Sequence, residues 1–234
     1  MKIDILYCDK DIVVVEKPAG VASSEERGAS LDMMSLLRNY LHENNIAYEG
    51  LHVVHRLDKP VAGVMVYALN KKAAAILSND ISNKTTKKYY KAILTKEPKQ
   101  LKNEGEEFIT LENMLLRHKK TNTSKIVPFD TDQKDAKKAI LRYKIENKIE
   151  FRSRELYVVD IELLTGRHHQ IRVQFAGIEA PLYGDMRYNT SAKENNEREG
   201  VALCSYKLIF NHPITGKRMN FEIIPKNSIF NNTY

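Results

Sequence analysis

Apolar residues recur along this chain in two rhythms. Short β-branched runs bounded by turn residues predict strands, and longer stretches spaced at three and four predict helices. Ile12 to Val15 is the first run, closed by Lys17-Pro18-Ala19-Gly20, where proline and glycine mark a turn. Ser30 offers an N-cap, and from there Leu31, Met34, Leu37 and Leu41, with Met33, Leu36 and Tyr40 beside them, predict an amphipathic helix ending near Asn44. Val64, Val66 and Ala68 alternate with other apolar residues as a buried strand does, and Asn70 is placed to cap a second helix through Leu77. The tetrapeptide His55-Arg56-Leu57-Asp58 therefore falls in a loop just ahead of a strand.

Tyr89 to Leu94 predicts another strand, whereas Lys96 to Lys138 is polar and irregular and reads as loops with short strands. Further strand signals lie at Ala139 to Ile145, Leu156 to Leu164 and Ala202 to Phe210; a turn-rich segment, His212 to Lys217, then leads into Phe221 to Ile224. Between them, Gly166 to Ala176 keeps Ile171, Phe175 and Ile178 at helical spacing, with Gly177 where a C-terminal cap belongs. Strands that follow one another without intervening helices pair mainly antiparallel. No repeat, linker or low-complexity tract interrupts the pattern, so the expectation is one α+β domain over residues 1–234, built on a mixed, mainly antiparallel sheet.

Composition narrows the function classes. Lys and Arg number 37 against 30 Asp and Glu, a net charge of +7 over 234 residues, which favours an anionic partner such as nucleic acid. No apolar run is long enough to cross a bilayer and the amino terminus lacks an export pattern, so no membrane association and a cytoplasmic location are expected. Two cysteines, Cys8 and Cys204, supply neither a disulfide framework nor a four-thiolate metal site.

Two clusters could carry chemistry. Charged residues beside a buried strand are costly unless paired or used, which singles out His55-Arg56-Leu57-Asp58 against the plainer reading of a surface loop whose Arg and Asp satisfy each other. The second cluster, Arg167-His168-His169-Gln170-Ile171-Arg172, opens the predicted helix, where N–H groups and basic side chains together suit a phosphate or a carboxylate. Adjacent histidines on a helix diverge by about 100°, with no acidic or thiolate ligand near in sequence, so no metal is expected. There is no Gly-x-Ser-x-Gly elbow, and the Lys17–Gly20 turn has the wrong glycine spacing to cradle a nucleotide.

Taken in order, six segments resemble the RluA-type family of RNA pseudouridine synthases: YCDKDIVVVEKPAGVAS, HRLDKPVAGVMVYALN, KYYKA, AKKAILRYKI, LLTGRHHQIRVQFAGIEAPLYGDMRY and LIFNHPITGKRMNFEIIP. The resemblance covers nearly the whole chain. It implies the pseudouridine synthase fold, an RNA substrate (tRNA or rRNA), no cofactor and no separate S4-like RNA-binding domain ahead of the catalytic one. A bare catalytic domain of this kind is expected to act as a monomer. The family's catalytic aspartate falls on Asp58, its tyrosine on Tyr90 rather than Tyr89, its arginine on Arg172, and the aspartate of its Gly-Asp pair on Asp185. Three positions depart from the family pattern: Val61-Ala62-Gly63 stands for Thr-Ser-Gly, Asn189 for a glycine, and Ala136 for a glycine.

Those roles suit an isomerisation that breaks N1–C1′ of uridine and joins C5 to the same carbon. Asp58 serves as a carboxylate, by attacking C1′ or by removing the C2′ proton, and the guanidinium of Arg172 fixes its orientation. Tyr90 stacks on the detached uracil, Ile171 lines the apolar wall, and Arg56 contacts RNA or fills the place of the flipped nucleotide. His55, Arg167 and His169 complete the expected substrate-binding set. Lys84, Lys87, Lys88 and Lys91, with Arg117, Lys119 and Lys120, are candidates to track the RNA backbone or to form an ordinary solvated face. Two rivals are a catalytically impaired RNA-binding protein on the same fold, suggested by Val61-Ala62, and a phosphodiesterase using His55 and His168.

Overall fold

The structure, a computed structural model, describes residues 3–25, 31–99 and 107–232. Its strands are β1 (Asp4–Cys8), β2 (Ile12–Lys17), β3 (His52–Val53), β4 (Ala62–Ala68), β5 (Lys87–Leu94), β6 (Ile109–His118), β7 (Thr123–Val127), β8 (Lys137–Phe151), β9 (Arg154–Leu163), β10 (Leu203–Asn211) and β11 (Arg218–Glu222). The helices are α1 (Met33–Glu43), α2 (Lys71–Ser82) and α3 (Gln170–Gly177), with a 3-10 turn at Ser228–Asn232. Contacts group the chain into two compact units, Met1–Lys88 with Cys204–Pro225, and Tyr89–Leu203 with Lys226–Tyr234. Among the described residues no helix is long and apolar enough to cross a membrane.

In the first unit β2 lies antiparallel between β1 and β4. The other edge of β4 is shared: β10 runs parallel to it at Ala62 and Gly63, and β3 antiparallel to it at Tyr67 and Ala68. β11 pairs antiparallel with β10. Both β2 and β4 are almost wholly buried. Ile12, Val14, Val64, Val66, Ala68, Leu208 and Phe210 pack against Ala73 and Leu77 of α2, whose Asn70 cap accepts the Ala73 N–H at 2.8 Å as the sequence predicts.

Helix α1 begins later than its apolar rhythm suggests. Its cap is Asp32, which accepts the Ser35 N–H at 2.9 Å, and Leu31 lies outside the helix, exposed. Ser30, expected as the cap, lies outside the described residues. In the second unit β5, β9, β8, β6 and β7 pair in that order, all antiparallel. The hairpin β6–β7 occupies much of the stretch read as loops with short strands; its ten-residue first arm alternates polar with apolar residues and buries Leu111 and Leu115. A mainly antiparallel α+β architecture is thus what the chain adopts.

Gly63 shows how tightly β4 and β10 meet. Its φ is +144°, and a Cβ added there would stand 2.5 Å from the Ser205 carbonyl oxygen and 2.7 Å from the Ser205 nitrogen, both backbone atoms that cannot swing aside. Gly63→Ala therefore adds backbone strain to a steric clash. The expected loss is about 3 kcal/mol of unfolding free energy, read from the urea midpoint; an unchanged midpoint would show that the strands separate at little cost.

Candidate active site

Asp58 sits half-buried in the loop between β3 and β4, and the backbone around it is braced from two sides. Ser23 holds Leu57 twice, its hydroxyl donating to the Leu57 carbonyl at 2.7 Å and accepting the Leu57 N–H at 3.0 Å. Lys17, fully buried, donates its ammonium to the carbonyls of Pro18 at 2.8 Å, Val21 at 2.7 Å and Lys59 at 3.2 Å. The Gly20 N–H donates to the same Lys59 carbonyl at 2.8 Å, so the Lys17–Gly20 turn is the platform on which the Asp58 loop rests. Burial pushes the Lys17 ammonium down to about 8, while the charge of Asp58 pulls it back up. Val61, where the family carries a hydroxyl, is buried, and its N–H closes the turn on the Asp58 carbonyl at 2.9 Å. The turn therefore needs no side-chain hydroxyl at that position.

His55 and Arg56 share this loop, with different fates. Arg56 is exposed, whereas the Nε2 of His55 accepts the Val66 N–H at 3.1 Å, in the gap that β10 and β3 leave along the outer edge of β4. His55 thus completes the ladder as a neutral ring with its proton on Nδ1. Burial, and secondly the charge of Lys88, push it down to about 3. Unfolded, the ring takes its proton near 6.5, so stability from this group is complete above that pH and declines as pH falls toward 3. From about pH 6 to pH 4 the native chain should lose up to about 1.4 kcal/mol per pH unit that His55→Gln does not lose. Urea titrations of both proteins check this; parallel slopes would show that His55 titrates normally.

In the second unit, α3 opens at Gln170 rather than at Arg167. His169 stands at the cap with φ 53°, and Gln170 folds back so that its side-chain oxygen accepts the Arg167 N–H at 3.0 Å and the Thr165 hydroxyl at 2.8 Å. Arg167 and His168 therefore lie in the preceding turn, where the exposed Arg167 donates Nε–H to the Lys138 carbonyl at 2.9 Å. His168 meets the Ser124 hydroxyl at 2.9 Å and the Asn122 side-chain oxygen at 3.1 Å. Ile171 is buried on α3, and Tyr90 is buried on β5, paired with Ile161.

Arg172, buried on α3, makes a two-pronged pair with Asp185: Nε–H donates to Oδ2 at 2.8 Å and Nη2–H to Oδ1 at 2.7 Å. The two side chains are 6% and 0% exposed. Asp185 Oδ1 also accepts the backbone N–H groups of Arg187 at 3.0 Å and Tyr188 at 3.2 Å. The loop presenting it is itself held. Gly184, with φ +71°, packs so closely that a Cβ would stand 2.0 Å from the Gly200 carbonyl oxygen, and its N–H donates to the buried Glu197 carboxylate at 2.7 Å. Asn189, in place of the family's glycine, donates to that same carboxylate at 3.0 Å. Ala136, the remaining departure, donates its N–H to Gln133 in an ordinary turn.

Of the basic candidates, Lys91 is paired with Glu146 at 2.6 Å and burial pushes Lys88 down. Lys119 and Lys120 are exposed at the β6–β7 turn beside Arg117, Lys84 is exposed in the turn between α2 and β5, and Lys87 is exposed at the start of β5. Asp9, Asp11 and His212 lie close enough to suggest a metal, but their ligand atoms are already engaged, Asp11 Oδ1 by the Asn70 side-chain N–H at 2.9 Å and the other two within a hydrogen-bonded turn. Asp9 Oδ1 accepts the Asp11 and Ile12 N–H groups, its Oδ2 meets Tyr7 and His212, and the His212 Nδ1 accepts the Ile214 and Thr215 N–H groups.

Residues 11–177 match the family model described as RNA pseudouridylate synthase. An uncharacterized RNA pseudouridine synthase of Mycoplasma genitalium is 30% identical over 222 residues, which cover 95% of this chain and 66% of that protein. Ribosomal large subunit pseudouridine synthase C of Rickettsia bellii is 27% identical, over 93% of this chain and 67% of that protein. The chain thus spans about two thirds of the length of these curated relatives. Among solved structures, human RNA pseudouridylate synthase domain containing 4 superposes with a TM-score of 0.75 at 22% identity, over 97% of this chain and 90% of the other, a likeness of fold. With the family match extending across the Asp58 loop and α3, the chain belongs to the RluA-type RNA pseudouridine synthase family.

Proposed function

We propose that the protein converts specific uridines in tRNA or rRNA to pseudouridine, with Asp58 as the reacting carboxylate of one catalytic domain. The observation that carries this reading is the bracing of the Asp58 loop by Lys17, Gly20 and Ser23, which fixes the backbone while leaving the carboxylate half-buried. The reaction needs no external redox partner: N1–C1′ breaks, C5–C1′ forms, the C5 proton leaves to solvent and N1 gains a proton. Asp58 attacks C1′ or takes the C2′ proton, Arg172 sets the orientation of that carboxylate, and Tyr90 presents a flat face to the uracil as it turns. Ile171 lines the apolar wall that receives the extruded nucleotide, Arg56 contacts RNA or fills the place the nucleotide leaves, and Arg167 with the hairpin cations Arg117, Lys119 and Lys120 follows the phosphate backbone. The relative from Rickettsia bellii, named for the large ribosomal subunit, favours ribosomal RNA as the first substrate to try.

The test is incubation with transcripts of tRNA and rRNA carrying tritium at C5 of uridine. Label released into water, with pseudouridine in the recovered RNA, is the expected result. Tight RNA binding without release would favour a binding protein on the same fold. Strand scission would favour the histidine chemistry, against which stands the engagement of His55 with Val66 and of His168 with Ser124.

A further inference from the structure

We propose that Tyr188 is a positioning residue for Arg172, its ring fixing the tilt of the guanidinium and its hydroxyl fastening that support to the β6–β7 hairpin. The inference rests on the reading that Arg172 serves the reaction.

Two parallel bonds from Nε and Nη2 to Asp185 hold the guanidinium in the plane of the carboxylate, but they leave it free to rock about the line joining the two oxygens. A surface against the flat face removes that freedom. The Tyr188 ring provides one, with the Arg172 Cζ 5.3 Å from its centroid, within the range where a cation is drawn to an aromatic face. The Tyr188 N–H donates to the same Asp185 oxygen that receives Nη2, so ring and carboxylate are placed by one turn of chain.

The hydroxyl points elsewhere. It accepts the Ser124 N–H from β7 at 2.8 Å, which leaves its own proton for the Nδ1 of His169, also at 2.8 Å. His169 is the cap of α3, three residues ahead of Arg172, and its ring stacks on His168 at 3.7 Å. His168 in turn meets the Ser124 hydroxyl. Tyr188 thus joins the strand that leaves the basic hairpin turn, the start of α3 and the Asp185 loop, all within the second unit. A tyrosine confined to core packing would need neither the bond to Ser124 nor a guanidinium over its face.

The ring and the hydroxyl can be separated by substitution. In protein labelled with nitrogen-15, the Arg172 Nε–H signal is assigned by its loss in Arg172→Lys, and its exchange with solvent is compared among variants. Tyr188→Leu should speed that exchange about tenfold or more and lower kcat for tritium release by about tenfold, with KM within about threefold of native. Tyr188→Phe keeps the ring but loses its fastening, so it should speed exchange of the Ser124 amide about tenfold and bring the Arg172 exchange and kcat to values between those of native and Tyr188→Leu. Unchanged Arg172 exchange in Tyr188→Leu overturns the proposal. If that variant does not fold, Tyr188→Phe decides: an unaltered Ser124 amide, or an Arg172 signal that exchanges as slowly as in the native protein, overturns it equally. A native protein that releases no label defeats the proposed function instead, and the exchange measurements still decide the role of Tyr188.

Discussion

With Asp58 replaced by asparagine, tritium release from C5 of uridine should fall at least about a thousandfold, to the level of a protein-free control, while fold and RNA affinity persist. Asparagine keeps the size and one oxygen of the side chain but can neither attack C1′ nor accept the C2′ proton. The bonds that brace the backbone of the loop do not use the carboxylate. The loop is closed by the backbone bond from Val61 to the Asp58 carbonyl and anchored through Leu57 and Lys59. The nearest consequence is electrostatic: Lys17 loses the one charge that opposes its burial, so its ammonium should sit lower still than about 8. A melting midpoint close to native, RNA binding within a few-fold and no label release together identify the group that reacts. Label release that survives in both Asp58→Asn and Asp58→Ala would place the chemistry on another residue.

What the sequence discloses and what it hides follow from the range of the interactions. β2, β4 and α2 are legible because their signals are local: a β-branched run, an alternating buried strand, and Asn70 one residue ahead of the helix it caps. The start of α1 is misjudged by two residues, since Leu31 continues the apolar rhythm while Asp32 holds the cap. Hairpin β6–β7 is obscured by its polar outer face, which leaves only scattered apolar positions. At the site, the Asp58 loop is legible as charged residues ahead of a buried strand. Asp185 is marked only as the aspartate of the family's Gly-Asp pair, and nothing in the sequence says that its side chain meets Arg172. Tyr188, Glu197 and the tether of His55 to Val66 are wholly tertiary. Ser124 reaches Tyr188 across 64 positions and Arg154 reaches Glu197 across 43, so no window of sequence contains both partners.

Removing the Asp185 carboxylate should be the costliest single change in the second unit. Asp185→Ala deletes four bonds at once, two from the Arg172 guanidinium and two from the backbone N–H groups of Arg187 and Tyr188. With the guanidinium almost fully buried, water replaces little of what is lost, and about 3–5 kcal/mol of unfolding free energy should go with it. Asp185→Asn keeps an oxygen for the two backbone donors and should lose about half as much. A stability loss alone does not separate a structural ion pair from a functional one, but a double substitution does. Arg172→Met with Asp185→Leu exchanges the pair for apolar groups of similar bulk, which commonly restores stability because neither charge is left buried by itself. The double variant should therefore unfold in urea nearer the native midpoint than Asp185→Ala does, and yet release no label. If it regained activity along with stability, Arg172 would be a strut of the fold and the reaction would need no guanidinium from this position.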